Sequence, residues 1–335
     1  MERKDIKIGL IGLGNRGMAT LRRYRHIQGA TFAMLCDRDG EKCLTANALL
    51  RQQGCEPART STRWEEVCQN ADVQLVYVCT NWDSHAAIAL EAMHCGKDVA
   101  VEVPLAMSVA DCQRLVSESE RSGRRLMMLE NCCFDTFHLG CLGMVRRGLL
   151  GELTHLEGAY IHYLAEDAAI GFRGNPYPTH GLGPMCQLLG DDAIERMVSV
   201  DGLNSVCNTL LKTRRGVSLL LQFDETTPRP YSRLQTVCGT RGFAQKYPIP
   251  CVQLGDEVWH STEAERLTEE YMEPEFRALV AEGRRLGVEN LMNYVMDRRL
   301  MSAVAGDIDF DISVRQAALW SSVVELSRQQ GIVRL

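Results

Sequence analysis

The stretch IKIGLIGLGNRG, Ile6 to Gly17, passes from an apolar strand pattern directly into Gly-x-Gly-x-x-Gly. The glycine pattern alone is a weak signal. Its surroundings make it a strong one, because a helix pattern follows over Met18 to Ile27, then a second strand over Ala30 to Cys36 that ends at Asp37. Gly12 permits the tight turn, Gly14 lets a pyrophosphate approach the backbone, and Gly17 lets helix and strand pack closely. The helix start presents free N–H groups to phosphates. Asp37 is placed to accept hydrogen bonds from adenosine ribose hydroxyls and to repel a 2′-phosphate, so NAD is expected over NADP. Arg38 beside it is the one feature that would suit the phosphate.

Working outward, strand and helix patterns alternate. A helix is expected over Lys42 to Arg51. LVYVC (75–79) reads as a strand buried on both faces. His85 to His94 reads as a helix stopped by Gly96, and Val99 to Val103 as a strand closed by Pro104. Ser108 with Asp111 resembles a capping box that opens a helix to about Ser122. Leu126 to Leu129 is the next strand. This alternation predicts an N-terminal Rossmann domain with a parallel sheet, residues 1–131. Beyond residue 150 the pattern changes. Leu153 to Leu164, Met197 to Val200, Val217 to Phe223, Leu234 to Val237 and Val252 to Trp259 read as strands. Helices are expected near Glu273–Arg285, Glu289–Val304 and Val314–Arg328. Residues 132–335 are thus expected to form an α+β domain with an open, mostly antiparallel sheet for substrate binding and self-association. The overall fold class is α/β followed by α+β.

The chain has 335 residues, a net charge of −6 and 24% charged residues. That balance argues against a nucleic-acid partner. No apolar run has the length of a membrane span. MERKDIKIGLIG has no separate apolar region of a signal peptide, and a cytoplasmic location is expected. The 14 cysteines are scattered without Cys-x-x-Cys spacing, so neither a disulfide framework nor a metal site is expected. The adjacent Cys132 and Cys133 read as small buried hydrophobes.

With the fingerprint, GKDVAVEVPLAMSVADC (96–112) resembles the glucose–fructose oxidoreductase and inositol dehydrogenase family. That family usually reads Glu-Lys-Pro where this chain has Glu102-Val103-Pro104, and valine cannot move a proton. MMLENCC (127–133), GAYIHYL (158–164), YPTHGLGP (177–184), TTPRPYSR (226–233) and CGTRGFAQKYP (238–248) more narrowly resemble glycoside hydrolase family 109, whose founding activity is α-N-acetylgalactosaminidase. The resemblance implies that Asn15 and Arg16 meet the cofactor phosphates. It implies that Trp82, Asp83, Ser84, His85, Glu102, Val103 and Asn131 border the cofactor, with Tyr177, Pro178, Thr179 and His180 between nicotinamide and sugar. It also implies that Tyr160, Tyr177 and Tyr231 line the sugar site. Two departures concern the sugar pocket: AEDAAIGFRGNP (165–176) is a compressed loop, and GVENLMNYVMDRRL (287–300) replaces a glycine- and histidine-rich stretch.

An ordinary glycosidase needs two carboxylates flanking the bond. These motifs instead supply a nicotinamide site, a phenol and an imidazole, which suit transient oxidation at sugar C3, elimination across C1–C2, water addition and re-reduction. His180 and Tyr177 are the catalytic candidates. Pro184 is expected in the first turn of a helix beginning near Gly183, so that His180 precedes the helix and stays neutral as a base. Glu130 reads as a structural partner for an arginine, and His162 has no assigned role. The alternatives are an NAD(P)-dependent sugar or cyclitol dehydrogenase, and a nucleotide-binding regulatory protein without turnover. A homodimer or homotetramer is expected because an open sheet leaves a face to cover.

Overall fold

The computed structural model describes residues 5–164, 171–329 and 331–335. The charged tip of the N-terminal segment and residues 165–170 of the compressed loop lie outside the described residues. Two compact units form. One runs through Leu129 and takes back Arg285–Asn290 and Tyr294–Ser321; the other comprises Glu130–Arg284, Leu291–Asn293 and Ser322–Leu335.

The first unit begins β1 (Ile6–Ile11), α1 (Asn15–Tyr24), β2 (Ala30–Cys36), α2 (Gly40–Gln52), β3 (Arg59–Ser61) and α3 (Trp64–Gln69). It continues β4 (Leu75–Val78), α4 (Trp82–His94), β5 (Asp98–Val101), α5 (Val109–Ser122) and β6 (Leu126–Met128). The strands pair in parallel in the order β3-β2-β1-β4-β5-β6. Strand order reverses between β1 and β4, and the crevice at that switch point is where this architecture binds nucleotides. β4 and β5 are buried along their whole length, as their unbroken apolar runs demand. The Ser108 hydroxyl accepts the Asp111 N–H at 3.1 Å and donates to the Asp111 carboxylate at 2.8 Å, capping α5 as expected.

The second unit begins α6 (Thr136–Arg146), β7 (Leu153–Ile161), α7 (Thr179–Leu189), β8 (Ile194–Asp201), β9 (Cys207–Thr213), β10 (Ser218–Asp224) and β11 (Ser232–Gly239). There follow β12 (Gly242–Gln245), β13 (Cys251–Leu254), β14 (Glu257–His260), α8 (Ser261–Tyr271), α9 (Pro274–Arg285), α10 (Leu291–Val304), α11 (Val314–Leu326) and β15 (Val333–Arg334). The sheet order is β14-β13-β12-β11-β7-β10-β9-β8-β15, with β7 and β10 parallel and every other pair antiparallel. Val252 to Trp259, expected as one strand, is the β13–β14 hairpin, turned at Gly255 with φ +58°.

Most of α10 and α11 belongs to the first unit. Asp297 on α10 is fully buried there, 2.5 Å from Arg23 Nε and 3.0 Å from the Tyr77 hydroxyl. A buried carboxylate needs such partners, because an unpaired one would cost several kcal/mol. This anchor fixes the helix to α1 and β4.

Helix α7 packs on β7 through glycines. A Cβ on Gly158 would stand 2.6 Å from the Gly181 carbonyl oxygen, and one on Gly181 would stand 2.7 Å from the Ala159 nitrogen. No side chain fits between the two backbones. This close approach sets His180 of α7 against Tyr160 of β7.

Candidate active site

In the first unit, the glycine turn is built as its sequence requires. Gly12 has φ +93°, and a Cβ there would collide with the Cys79 carbonyl oxygen at 2.5 Å. At Gly17 a Cβ would meet the Gly12 carbonyl oxygen at 2.0 Å. By contrast, a Cβ on Gly14 would meet nothing within 4 Å, so open space lies beside this part of the turn. Gly14 is the N-cap of α1 and supplies no side chain to its first N–H groups, and no acidic residue lies in the first turn. An uncapped, electropositive helix start beside open space fits a pyrophosphate. Gly14, Asn15 and Arg16 are exposed there. The helix begins at Asn15, earlier than the apolar pattern indicates, because the last three fingerprint residues form its first turn.

Asp37 ends β2. Its carboxylate accepts the Leu13 N–H at 2.8 Å and the Asp39 N–H at 3.0 Å, which ties it to the glycine turn and fixes its orientation. Lys42 stands 3.9 Å away. Remaining lone pairs can take ribose hydroxyls. The residues present therefore fit NAD. Arg16 Nε lies 3.6 Å from the buried Glu102 carboxylate. His85 is fully buried, with Nδ1 2.8 Å from the Pro104 carbonyl oxygen and Nε2 3.1 Å from that of Thr80. It braces the two loops that follow β4 and β5. Trp82, Asp83 and Ser84 open α4, where the Ser84 hydroxyl contacts Thr80 Oγ1 at 2.7 Å. Val103 is buried.

In the second unit, the expected sugar residues converge. The Tyr160 ring lies 4.6 Å from Tyr177, 5.5 Å from His180 and 6.5 Å from Tyr231, centroid to centroid. Tyr177 and His180 are 4.7 Å apart. His162 joins them, its Nδ1 2.9 Å from the Tyr160 hydroxyl and its ring 5.2 Å from Tyr231. A cluster of aromatic rings bearing phenol hydroxyls suits a sugar, which offers C–H faces and hydroxyl edges. Asn131, Pro178 and Thr179 are buried nearby in sequence; the Asn131 amide donates to Asn293 Oδ1 at 2.9 Å.

Two expectations about His180 are corrected. Helix α7 starts at Thr179, with Pro184 inside it, so His180 sits in the first turn. Proline costs the helix only the one bond to the His180 carbonyl, and the tight Gly158–Gly181 packing holds the helix together. The ring is also not neutral. Its Nδ1 lies 2.9 and 3.0 Å from the two oxygens of Glu130, which is fully buried. Burial works against the imidazolium, but Cys132 and Glu130 overcome it and raise the pKa from 6.5 to about 10. Burial likewise opposes the Glu130 anion, yet His180 holds its pKa below the usual 4.5. Glu130 thus pairs with this histidine, where the sequence suggested an arginine.

A second buried carboxylate stands beside the first. Asp135 caps α6, accepting the Phe137 N–H at 3.0 Å. It also pairs with Arg233 at 2.9 Å and with Lys246. Burial would raise its pKa, but the two cations hold it far below the usual carboxylate range. Arg233 and Lys246 lie in the motifs at 226–233 and 238–248, whose pattern alone gives them no role.

Comparison with known proteins agrees with both halves. Residues 6–130 match the oxidoreductase family with an NAD-binding Rossmann fold, and residues 202–333 match the C-terminal domain of glycosyl hydrolase 109. Glycosyl hydrolase family 109 protein 2 of Phocaeicola vulgatus is 42% identical, covering 97% of this chain and 91% of its own. Alpha-N-acetylgalactosaminidase of Bacteroides fragilis is 38% identical, covering 97% and 88%. Levoglucosan dehydrogenase in complex with NADH superimposes with a TM-score of 0.81 over 99% of each chain at 16% identity, a likeness of fold alone. No helix among the described residues is long and apolar enough to cross a membrane. On the two matched halves and the full-length likeness to its relatives, the chain belongs to glycosyl hydrolase family 109, built on an NAD-binding Rossmann fold.

Proposed function

We propose that this protein hydrolyses a sugar glycoside with NAD retained through each turnover, an α-N-acetylgalactosaminide being the first substrate to test in view of the named relative. The carrying observation is the state of the two carboxylates. Glu130 and Asp135 are both tied into buried ion pairs and both held as anions. Ordinary glycoside hydrolysis needs one carboxyl group protonated as general acid. This pair cannot supply it, and the ionisable proton beside the tyrosines rests on His180.

Bound NAD supplies reversible hydride acceptance at sugar C3, which makes a ketone there and acidifies the C2 proton. The chain's own residues do the rest. Tyr160, Tyr177 and Tyr231 bind and orient the ring through faces and hydroxyls. Charged His180 donates to negative charge developing on the sugar oxygen, where a buried cation is most effective. The C3 hydroxyl proton leaves to solvent with the oxidation. Tyr177, acting as phenolate beside the His180 imidazolium, takes the C2 proton as the C1 substituent leaves with a proton from solvent. It gives a proton back to C2 after water adds at C1 and loses its own proton to solvent. Glu130 fixes the imidazole tautomer and compensates its charge.

The discriminating experiment offers chromogenic α- and β-glycosides and follows leaving group and NADH together. The expected result is steady release of the leaving group without accumulation of NADH. Sustained NADH formation from a free sugar would instead identify a dehydrogenase.

A further inference from the structure

We propose that Glu130, Cys132 and His180 form a binding site for a borderline-soft divalent cation of the zinc class, and that occupancy shuts the enzyme off. The three side chains offer a carboxylate oxygen, a thiol sulfur and an imidazole nitrogen that all lie within 4.8 Å of one another. Their residues are between 0% and 7% exposed. This donor set is the one zinc prefers, and it leaves the fourth tetrahedral position to a water or a substrate oxygen. Zinc bonds of about 2.0–2.3 Å place tetrahedral ligands roughly 3.3–3.8 Å apart, so the widest edge has to close by about 1 Å.

The surroundings already orient the donors. The Cys132 N–H donates to Glu130 Oε1 at 3.1 Å, and the thiol lies 3.5 Å from Asn131 Oδ1. Glu130 caps the 3-10 turn Asn131–Phe134 that carries Cys132, so two ligands share one rigid, buried turn. The third is fixed by α7 and by the Tyr160 and Tyr177 rings. Second contacts of this kind are what tune metal ligands.

As the cation enters, any proton on the donor nitrogen and on the thiol leaves to solvent, and nitrogen and sulfur bond the metal in its place. The dication then faces carboxylate and thiolate. A metal held by Glu130 and His180 occupies the Glu130–His180 pair on which the proposed reaction relies, beside the Tyr160 and Tyr177 rings. The metal site itself does not depend on that reaction.

The test titrates the full chain, with its NAD, with Co2+. A thiolate-to-cobalt charge-transfer band is expected in the wild type and in Cys133→Ser, and its loss in Cys132→Ser, with affinity down about 100-fold or more. No band in the wild type, or a band that survives Cys132→Ser, overturns the site. Should Cys132→Ser fail to fold, wild-type crystals soaked in zinc decide by anomalous scattering: a peak bonded to all three residues is expected, and its absence overturns the site. Zinc is also expected to lower glycosidase turnover about a hundredfold or more, reversed by a chelator. A metal-bound enzyme that keeps its turnover overturns the inhibitory role while leaving the spectroscopic result standing.

Discussion

The cofactor end in the first unit and the aromatic cluster in the second are built on opposite principles. The first is a backbone site. Its working parts are an exposed glycine turn, the free N–H groups of α1, and one carboxylate oriented by two backbone donors. The second is a side-chain site, where Glu130, Asp135, His180, Arg233 and Lys246 are buried or partly buried and hold one another's charges. A backbone site recognises a ligand and changes little when the ligand changes. A network of buried charges is costly to assemble, and each member sets the protonation state of the next. In the proposed function, NAD binding belongs to the first region, and sugar binding and proton transfer to the second.

The largest way to break this division is His180→Ala. Turnover is expected to fall about 10²–10⁴-fold, while NAD affinity, measured by calorimetry, stays near wild type. Equal losses in both would place His180 in cofactor binding. The converse change is Asp37→Ala. Losing a charged acceptor for ribose hydroxyls is expected to weaken NAD about 10–100-fold, with a much smaller effect on kcat at saturating cofactor. A variant with unaltered NAD affinity would show that Asp37 serves the loop alone.

The smallest effect is one of pH. His180 has a raised pKa, so its contribution to stability is fully present below 6.5 and is lost as pH rises towards about 10. Thermal denaturation across that window should show the wild type losing a few degrees more than Glu130→Gln. Parallel curves would mean that the Glu130–His180 pair does not hold the proton as described.

The two regions also differ in how far they could be read in advance. The fingerprint lies in one run of chain, so Gly12, Gly14, Gly17 and Asp37 could be named with their reasons: Gly12 and Gly17 leave no room for a Cβ, and Gly14 borders open space. The sugar-site tyrosines could be named only through resemblance, because Tyr160, Tyr177 and Tyr231 come from separate segments brought together by the packing of β7 on α7 and its pairing with β11. Glu130 and Asp135 were out of reach. An acid in an apolar stretch says that a partner exists, but not which one. His180 lies 50 positions from Glu130, and Arg233 lies 98 from Asp135. Cys-x-x-Cys spacing does not lead to Cys132, because the proposed donors span Glu130-x-Cys132 with His180 remote in sequence. The return of α10 and α11 to the first unit was equally hidden, since an apolar helix face does not name the sheet it covers. Asp297, buried on α10 against Arg23 and Tyr77, carries that anchor.

Glycoside hydrolysis in deuterated water tests the central claim most directly, with the released sugar examined by nuclear magnetic resonance. Removal of the C2 proton to Tyr177 beside His180, exchange of that phenol with solvent and delivery of a deuteron back predict deuterium at C2 in the product, with none appearing in uncleaved controls lacking enzyme. Full hydrolysis with the C2 proton retained from the substrate would contradict the account.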